Sequence, residues 1–415
     1  MAQAQTENSP YSRYGLGDLV PTQNMATRGI GGVSAAYFDQ TSINFVNPAS
    51  YGRLQSTILD IGVEWNTRTL KATDPVRKFN SYSPNISYVQ LAFPIKKNGG
   101  WGINLGLRPI TRINYKITDQ DSLYRPGFTD TLDVNTLYEG SGGTYQAHVG
   151  TGFRIARNFT AGINVGYTFG SKDYSTKTTL VDTSTFYYKS NHQRRTSYGG
   201  FLFNAGLQYV AKLNKSTFLQ MGVYGNLEQN FNAKEDYRVH TFEYNANGGI
   251  DTIDNASRQD IDGKIKYPAS YGAGLILNKP GKFLIGVDYV MQKWSDYRFY
   301  DQKDLVDDSW ELRIGGMLAP SGGKTYWTNV GYRAGFNFGQ DYIFVNEKEL
   351  KKWGMSLGVA LPMRKPAYTN QFSVINITAE YGQRGNNDNP IRENYFRLGV
   401  GFSLTDIWFL KRKYD

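Results

Sequence analysis

The stretch 158–170, NFTAGINVGYTFG, alternates without a break. Phe159, Ala161, Ile163, Val165, Tyr167 and Phe169 are apolar, and every position between them is Asn, Thr or Gly. Such alternation puts the two sets on opposite faces of an extended strand. The run is longer than the roughly 5–6 residues of an ordinary globular strand. Its polar face is small rather than charged, which suits a crowded or wet interior better than open solvent. A tilted strand of about 9–11 residues with one apolar face spans a bilayer. The stretch reads as a transmembrane β-strand.

The same pattern recurs along the chain. Leu59, Ile61, Val63 and Trp65 alternate with Asp60, Gly62 and Glu64, and further strands are expected at 87–95, 101–117, 144–154, 201–209, 217–227, 270–278, 283–292, 310–318, 330–339, 353–361, 372–381 and 396–405. With 158–170 these make about fourteen, an even number, as closed outer-membrane barrels have. The links alternate too. Those at 96–100, 156–158, 212–216, 278–282, 320–324 and 362–370 are short, while 67–80, 119–137, 171–195, 232–265, 297–309, 341–350 and 384–393 are long and polar. Short periplasmic turns and long outer loops are the barrel arrangement, and this count puts both termini in the periplasm. The expected architecture is an all-β, closed antiparallel transmembrane β-barrel of about 14 strands. Residues 1–52 form an N-terminal plug (hatch) inside the lumen and residues 53–415 form the barrel.

Composition narrows the function. No apolar run is long enough for a membrane helix, and the absence of cysteine removes disulfides and thiolate metal sites. The net charge is +10, but Lys and Arg are scattered over strands and turns, which fits a rim meeting anionic lipid rather than nucleic acid. His148, His192 and His240 show neither triad order nor metal spacing, so no enzyme, metal or cofactor is expected. GSGG at 140–143 and PSGGK at 320–324 precede no helix and read as turns. Ala2-Gln3-Ala4 resembles the end of a signal peptide. Trp101, Trp327 and Trp408 are expected at the periplasmic interface, and Trp65, Trp294, Trp310 and Trp353 at the outer one.

The N-terminal region does not alternate and is rich in glycine yet apolar, as a compact segment lying close to other backbone would be. GIGGVSAAY at 29–37 followed by INFVNPAS at 43–50 resembles the hatch of the FadL family of long-chain fatty-acid and hydrocarbon transporters. YPASYGAGLIL at 267–277, WELRIGGML at 310–318 and NVGYRAGFNF at 329–338 resemble its barrel strands. NSPYSRYGLGDL is similar to divergent Bacteroidota members, some of which, like the PorV-like shuttle of type IX secretion, are accessory barrels of larger machines. The resemblance implies a plug built on Gly29, Gly31, Gly32, Asn47, Pro48 and Ala49. It implies passive uptake of hydrophobic small molecules with lateral release through the wall. The alternative is an accessory barrel docking in a larger outer-membrane machine, for type IX secretion or barrel assembly. Expected partners are outer-membrane lipid, a hydrophobic ligand or a partner outer-membrane protein, and the barrel-assembly machinery during biogenesis.

Strand parity directs Asp60, Glu64, Arg108, Arg112, His148, Arg154, Asp288, Glu311, Arg313, Arg333 and Arg397 into the lumen, because lipid rejects them near the midplane. Their mixed signs suit an ion-pair network gripping the plug better than a field selecting one charge. Pro109 interrupts the third strand and removes a ladder donor. It marks an inward bulge and a wall opening, expected to be lined by small residues such as Gly106.

Overall fold

In the computed structural model, which describes residues 9–406 apart from 74–75, 97–98, 125–130, 182–186, 246, 248, 320–324, 346–347 and 364–371, the alternating segments pair in chain order. They form a closed 14-strand antiparallel barrel. Its strands are β1 (Thr57–Thr73), β2 (Val76–Pro94), β3 (Trp101–Tyr124), β4 (Thr131–Ala156), β5 (Phe159–Leu180), β6 (Lys189–Lys212), β7 (Phe218–Asn226 continuing as Gln229–Tyr244) and β8 (Ile250–Tyr267 continuing as Ser270–Lys279). The remainder are β9 (Phe283–Gln292), β10 (Ser309–Leu318), β11 (Gly331–Val345), β12 (Lys348–Pro362), β13 (Val374–Arg384) and β14 (Ile391–Asp406). Closure comes from β14 pairing with β1, from Thr57–Asp406 to Ala72–Ile391. Pro268, which lacks a donor, sits in the break of β8, where the Asn226 side chain donates to its carbonyl.

The expected parity of the links holds, but their lengths do not. Most of 67–80, 119–137, 171–195 and 232–265 continues the strands instead of forming loops. These stretches are rich in Thr, Tyr, Ser and Lys, and each runs beside an equally long neighbour, so cross-strand pairing carries the sheet on beyond the apolar band. As a result β3 to β6 have 24, 26, 22 and 24 residues while β9 and β10 have 10 each, and one side of the wall stands much taller.

Residues 9–56 lie within the ring. They comprise short helical turns at Pro10–Arg13 and Pro48–Arg53, a helix at Met25–Arg28, and a two-residue strand at Asp18–Leu19. Asn24 caps the helix through the Thr27 amide at 2.8 Å, and Asn47 caps the Pro48–Arg53 turn through the Ala49 amide at 3.1 Å. Pro48 stands at the first helical position, where no amide is needed. Most of the segment is buried, and its chain touches inward faces on all sides. That contact needs backbone against backbone. Gly31 takes φ +72° in the turn that follows the helix and its Gly29 cap, and a Cβ at Gly335 of β11 would land on the backbone of Ile30 and Gly31.

Of the tryptophans, Trp101 begins β3 and Trp327 lies between β10 and β11, both at the short-turn end. Trp310 and Trp353 sit in the opposite half of their strands, against Phe338 and Tyr381 on the outer face, and Trp65 is also outward. Trp294 departs from expectation. It is 1% exposed and packs on Tyr342 inside the ring, because the link after β9 folds inward. Trp408 and Ala2–Ala4 lie outside the described residues.

Gly335→Val should wedge the inner segment off the wall without breaking the β-ladder, since valine suits a strand. Heat-modifiable gel mobility would then stay barrel-like while limited proteolysis begins to cut within 29–50.

Candidate functional site

The inner segment is fixed by charge at its centre. Arg28, at the end of its helix, donates to Glu64 of β1 at 2.7 Å and to Glu380 of β13 at 2.6 Å. Arg112 of β3 reaches the other Glu64 oxygen at 3.1 Å, and Arg397 of β14 stands 3.7 Å from Glu380 over the Tyr395 ring. A second group surrounds Asp18, which Arg68 holds at 2.6 Å and Arg384 at 2.7 Å, with Asp341 and Glu393 completing it. Burial would raise the Asp18 carboxyl pKa, but Arg68 and Arg384 outweigh it and hold it below the usual range. Its contribution is therefore full above about pH 4 and is lost only in stronger acid.

Elsewhere the wall binds the segment's backbone. Asp288 of β9 accepts from the amides of Ser34 and Ala35 at 2.6 and 2.7 Å. Asp60 of β1 accepts from the Ile43 amide and from Tyr88. Arg313 pairs with Glu311 at 2.6 Å and reaches the Gly32 carbonyl, while Arg333 donates to Asn376 and packs against Gly29. Arg108 donates to Gln146 and to the Thr22 carbonyl. His148 is buried beside Asn104. Asn47 donates to the carbonyls of Ala35, Leu207 and Val223, tying the segment to β6 and β7. Arg154 is the exception: it is exposed at the rim, at a register shift in β4, and joins neither cluster. His192 and His240 remain apart from His148, on the tall part of β6 and β7.

Apolar contacts hold the segment to the wall at both ends of the ring. At the loop end, Trp294, Tyr297, Val306, Tyr342 and Ile343 pack on Tyr11 and Leu16 in the largest apolar cluster. The Gly15 amide donates to Asp304, and Lys172 donates to the Gly15 carbonyl. At the turn end, Tyr51 and Leu54 pack on Ile58 and Ala92. Sequence reading missed this loop-end cluster: its wall residues named here come from the link after β9 and the end of β11, and no periodic pattern marks them. Between segment and wall lies a cavity of about 200 Å³, lined by Arg28, Arg313, Lys352, Glu311, Glu380 and Arg397 among others.

Pro109 sits at a true break. The β2–β3 ladder runs only from Pro94–Gly102 to Val89–Leu107, although β2 stays paired with β1 to its end. The register slips between Pro109 and Thr111 on the β4 side, and at Ser87 on the β1 side of β2. Past the slip Thr111, Ile113 and Tyr115 turn inward and are buried. The freed lip of β3 is taken by the inner segment: Asp18 and Leu19 pair with Arg112 and Thr111, Val20 donates to the Ile110 carbonyl, and Ser9 to that of Asn114. Gly106 does not line this seam; it lies in the paired part, against Gln90.

The sequence matches the BamG family over residues 1–415. The chain belongs to the BamG family. No curated protein matches it. Among solved structures it is similar to the CymD monoaromatic hydrocarbon channel, with TM-score 0.57 and 14% identity over 95% of this chain and 99% of that one. A Pseudomonas aeruginosa FadL homologue gives 0.57 and 14% over 94% and 98%, and the P. putida toluene transporter TodX gives 0.57 and 14% over 93% and 98%. These likenesses establish the fold, a FadL-like β-barrel.

Arg28→Met leaves Glu64 and Glu380 with only Arg112 and Arg397 as counter-charges, which costs up to about 3–5 kcal/mol, the range for breaking a buried pair. The triple change Arg28→Met, Glu64→Gln, Glu380→Gln should recover much of that loss. Urea unfolding in detergent, followed by tryptophan fluorescence, compares the two.

Proposed function

We propose that the chain is a non-catalytic accessory barrel that works as a subunit of the barrel-assembly machinery, with residues 1–52 a standing plug in a barrel of residues 53–415 and both termini periplasmic. The observation that carries this reading is the ion-paired attachment of the inner segment to the wall. The inner segment is held to the wall through Arg28 and Asp18, and a cavity of about 200 Å³ beside it is lined by charged side chains. Pockets that enclose small molecules run to about 300–1,000 Å³ and are mostly apolar. Membership of the BamG family supports the same assignment. The tall wall of β3 to β8 provides a broad surface beyond the membrane for partner subunits.

One observation favours a second reading, uptake of long-chain fatty acids or hydrocarbons with lateral release. It is the seam above Leu107, where β3 leaves β2 at Pro109. For release the inner segment would have to leave the β3 lip, exposing backbone groups that each cost several kcal/mol in lipid.

An affinity-tagged full chain purified in mild detergent from native outer membranes should bring the barrel-assembly machinery with it. A strain lacking the chain should insert other barrels more slowly and take up radiolabelled oleate at the parental rate. Recovery of the chain alone, with oleate uptake lost in the deletion strain, would reverse the order of the two readings.

A further inference from the structure

The outward face of β9 to β13 is not uniformly covered. Its residues fall in rows set by the register. One row runs Ile285, Gly316, Ala334, Leu357, Ala379, and the next towards the turns runs Phe283, Leu318, Tyr332, Val359, Ile377. At the centre of the first row two adjacent positions, Gly316 and Ala334, carry almost no side chain, and Ile285 and Leu357 rise on either side. The result is a furrow of about 920 Å³ sunk into the lipid-facing wall. Arg333 comes to its floor, but the guanidinium turns inward to Asn376 and the Met317 sulfur. What enters the furrow meets no free hydrogen-bonding side chain, only hydrocarbon and paired backbone.

The end of the furrow nearest the short turns has another character. Lys282, exposed in the turn before Phe283, stands there, and the turn between β10 and β11 brings exposed Tyr326 and Trp327. Aromatic rings with polar edges and a lysine are what a headgroup layer stabilises. A concave apolar trough suits flexible chains better than the convex wall of a second barrel, which would leave its floor empty.

We infer that this furrow is a phospholipid site, with acyl chains lying over Gly316 and Ala334 and the headgroup phosphate beside Lys282. Its placement in the periplasmic leaflet rests on the proposed orientation, with the short turns in the periplasm; it does not depend on the docking or uptake readings.

Native mass spectrometry of the full chain in detergent, titrated with palmitoyl-oleoyl phosphatidylethanolamine, tests it. The wild type should keep one phospholipid under activation that strips the rest. Ala334→Trp, which fills the trough on the outer face, should lose that tightly held lipid while keeping its heat-modifiable gel shift. Lys282→Glu should weaken it about fivefold, the effect of one interfacial lysine, and Val149→Trp on the opposite wall should change nothing. Equal loss in all three variants, or no retained lipid in the wild type, means an annular lipid only and overturns the site. Retention of lipid A in place of phosphatidylethanolamine overturns the leaflet and the orientation it rests on. Capture of the barrel-assembly machinery by Ala334→Trp separates this result from the partner reading.

Discussion

The molecule depends on a charge that has to be buried. Arg28 lies in the middle of the ring, 3% exposed, with Glu64 and Glu380 as its carboxylates. Those two residues belong to strands at opposite ends of the barrel sequence. They become neighbours only when β14 pairs with β1 on one side and β13 on the other, where Gly399 faces Glu64 and Arg397 faces Glu380. The site for Arg28 therefore exists only in a closed barrel. Docking of the inner segment and closure of the ring are one event electrostatically, because each alone strands charge in a low-dielectric interior.

The inner segment also completes the wall. At Pro109 the barrel gives up the ladder between β2 and β3, and Asp18, Leu19 and Val20 take over the β3 lip from inside. The residue that bonds this backbone, Asp18, is the one clamped by Arg68 and Arg384. Seam and ion pairs thus hold the segment through the same few residues. Moving the segment would therefore leave the β3 lip in need of new backbone partners.

Much of the barrel was legible in the sequence because lipid imposes a strict code. Apolar-out alternation located each of the fourteen wall strands, and inward parity placed Glu64, Arg108, Asp288 and Arg313 against the inner segment. Four features escaped for physical reasons. The tall wall carries no apolar stripe, so polar strands at 171–195 and 232–265 read as loops. Arg154 has inward parity but lies at the rim, where it meets the Gly52–Arg53 end of the segment as a like charge beside Arg53 rather than an ion-pair partner, and parity carries no information about height. Trp294 looked like an interface residue because an aromatic near a strand end usually is; only the fold of the following link turns it onto Tyr342. The closest partners of the network, Arg28 and Asp18, sit in non-alternating sequence where no periodicity assigns a direction.

The central claim is that the lumen is closed by a segment locked in place. Conductance of the purified full chain in planar bilayers tests it most directly. A locked segment predicts insertion without steady current at either polarity, in low or high salt. A stable ohmic current from the unmodified chain would mean that water and ions pass the inner segment, and would contradict the account.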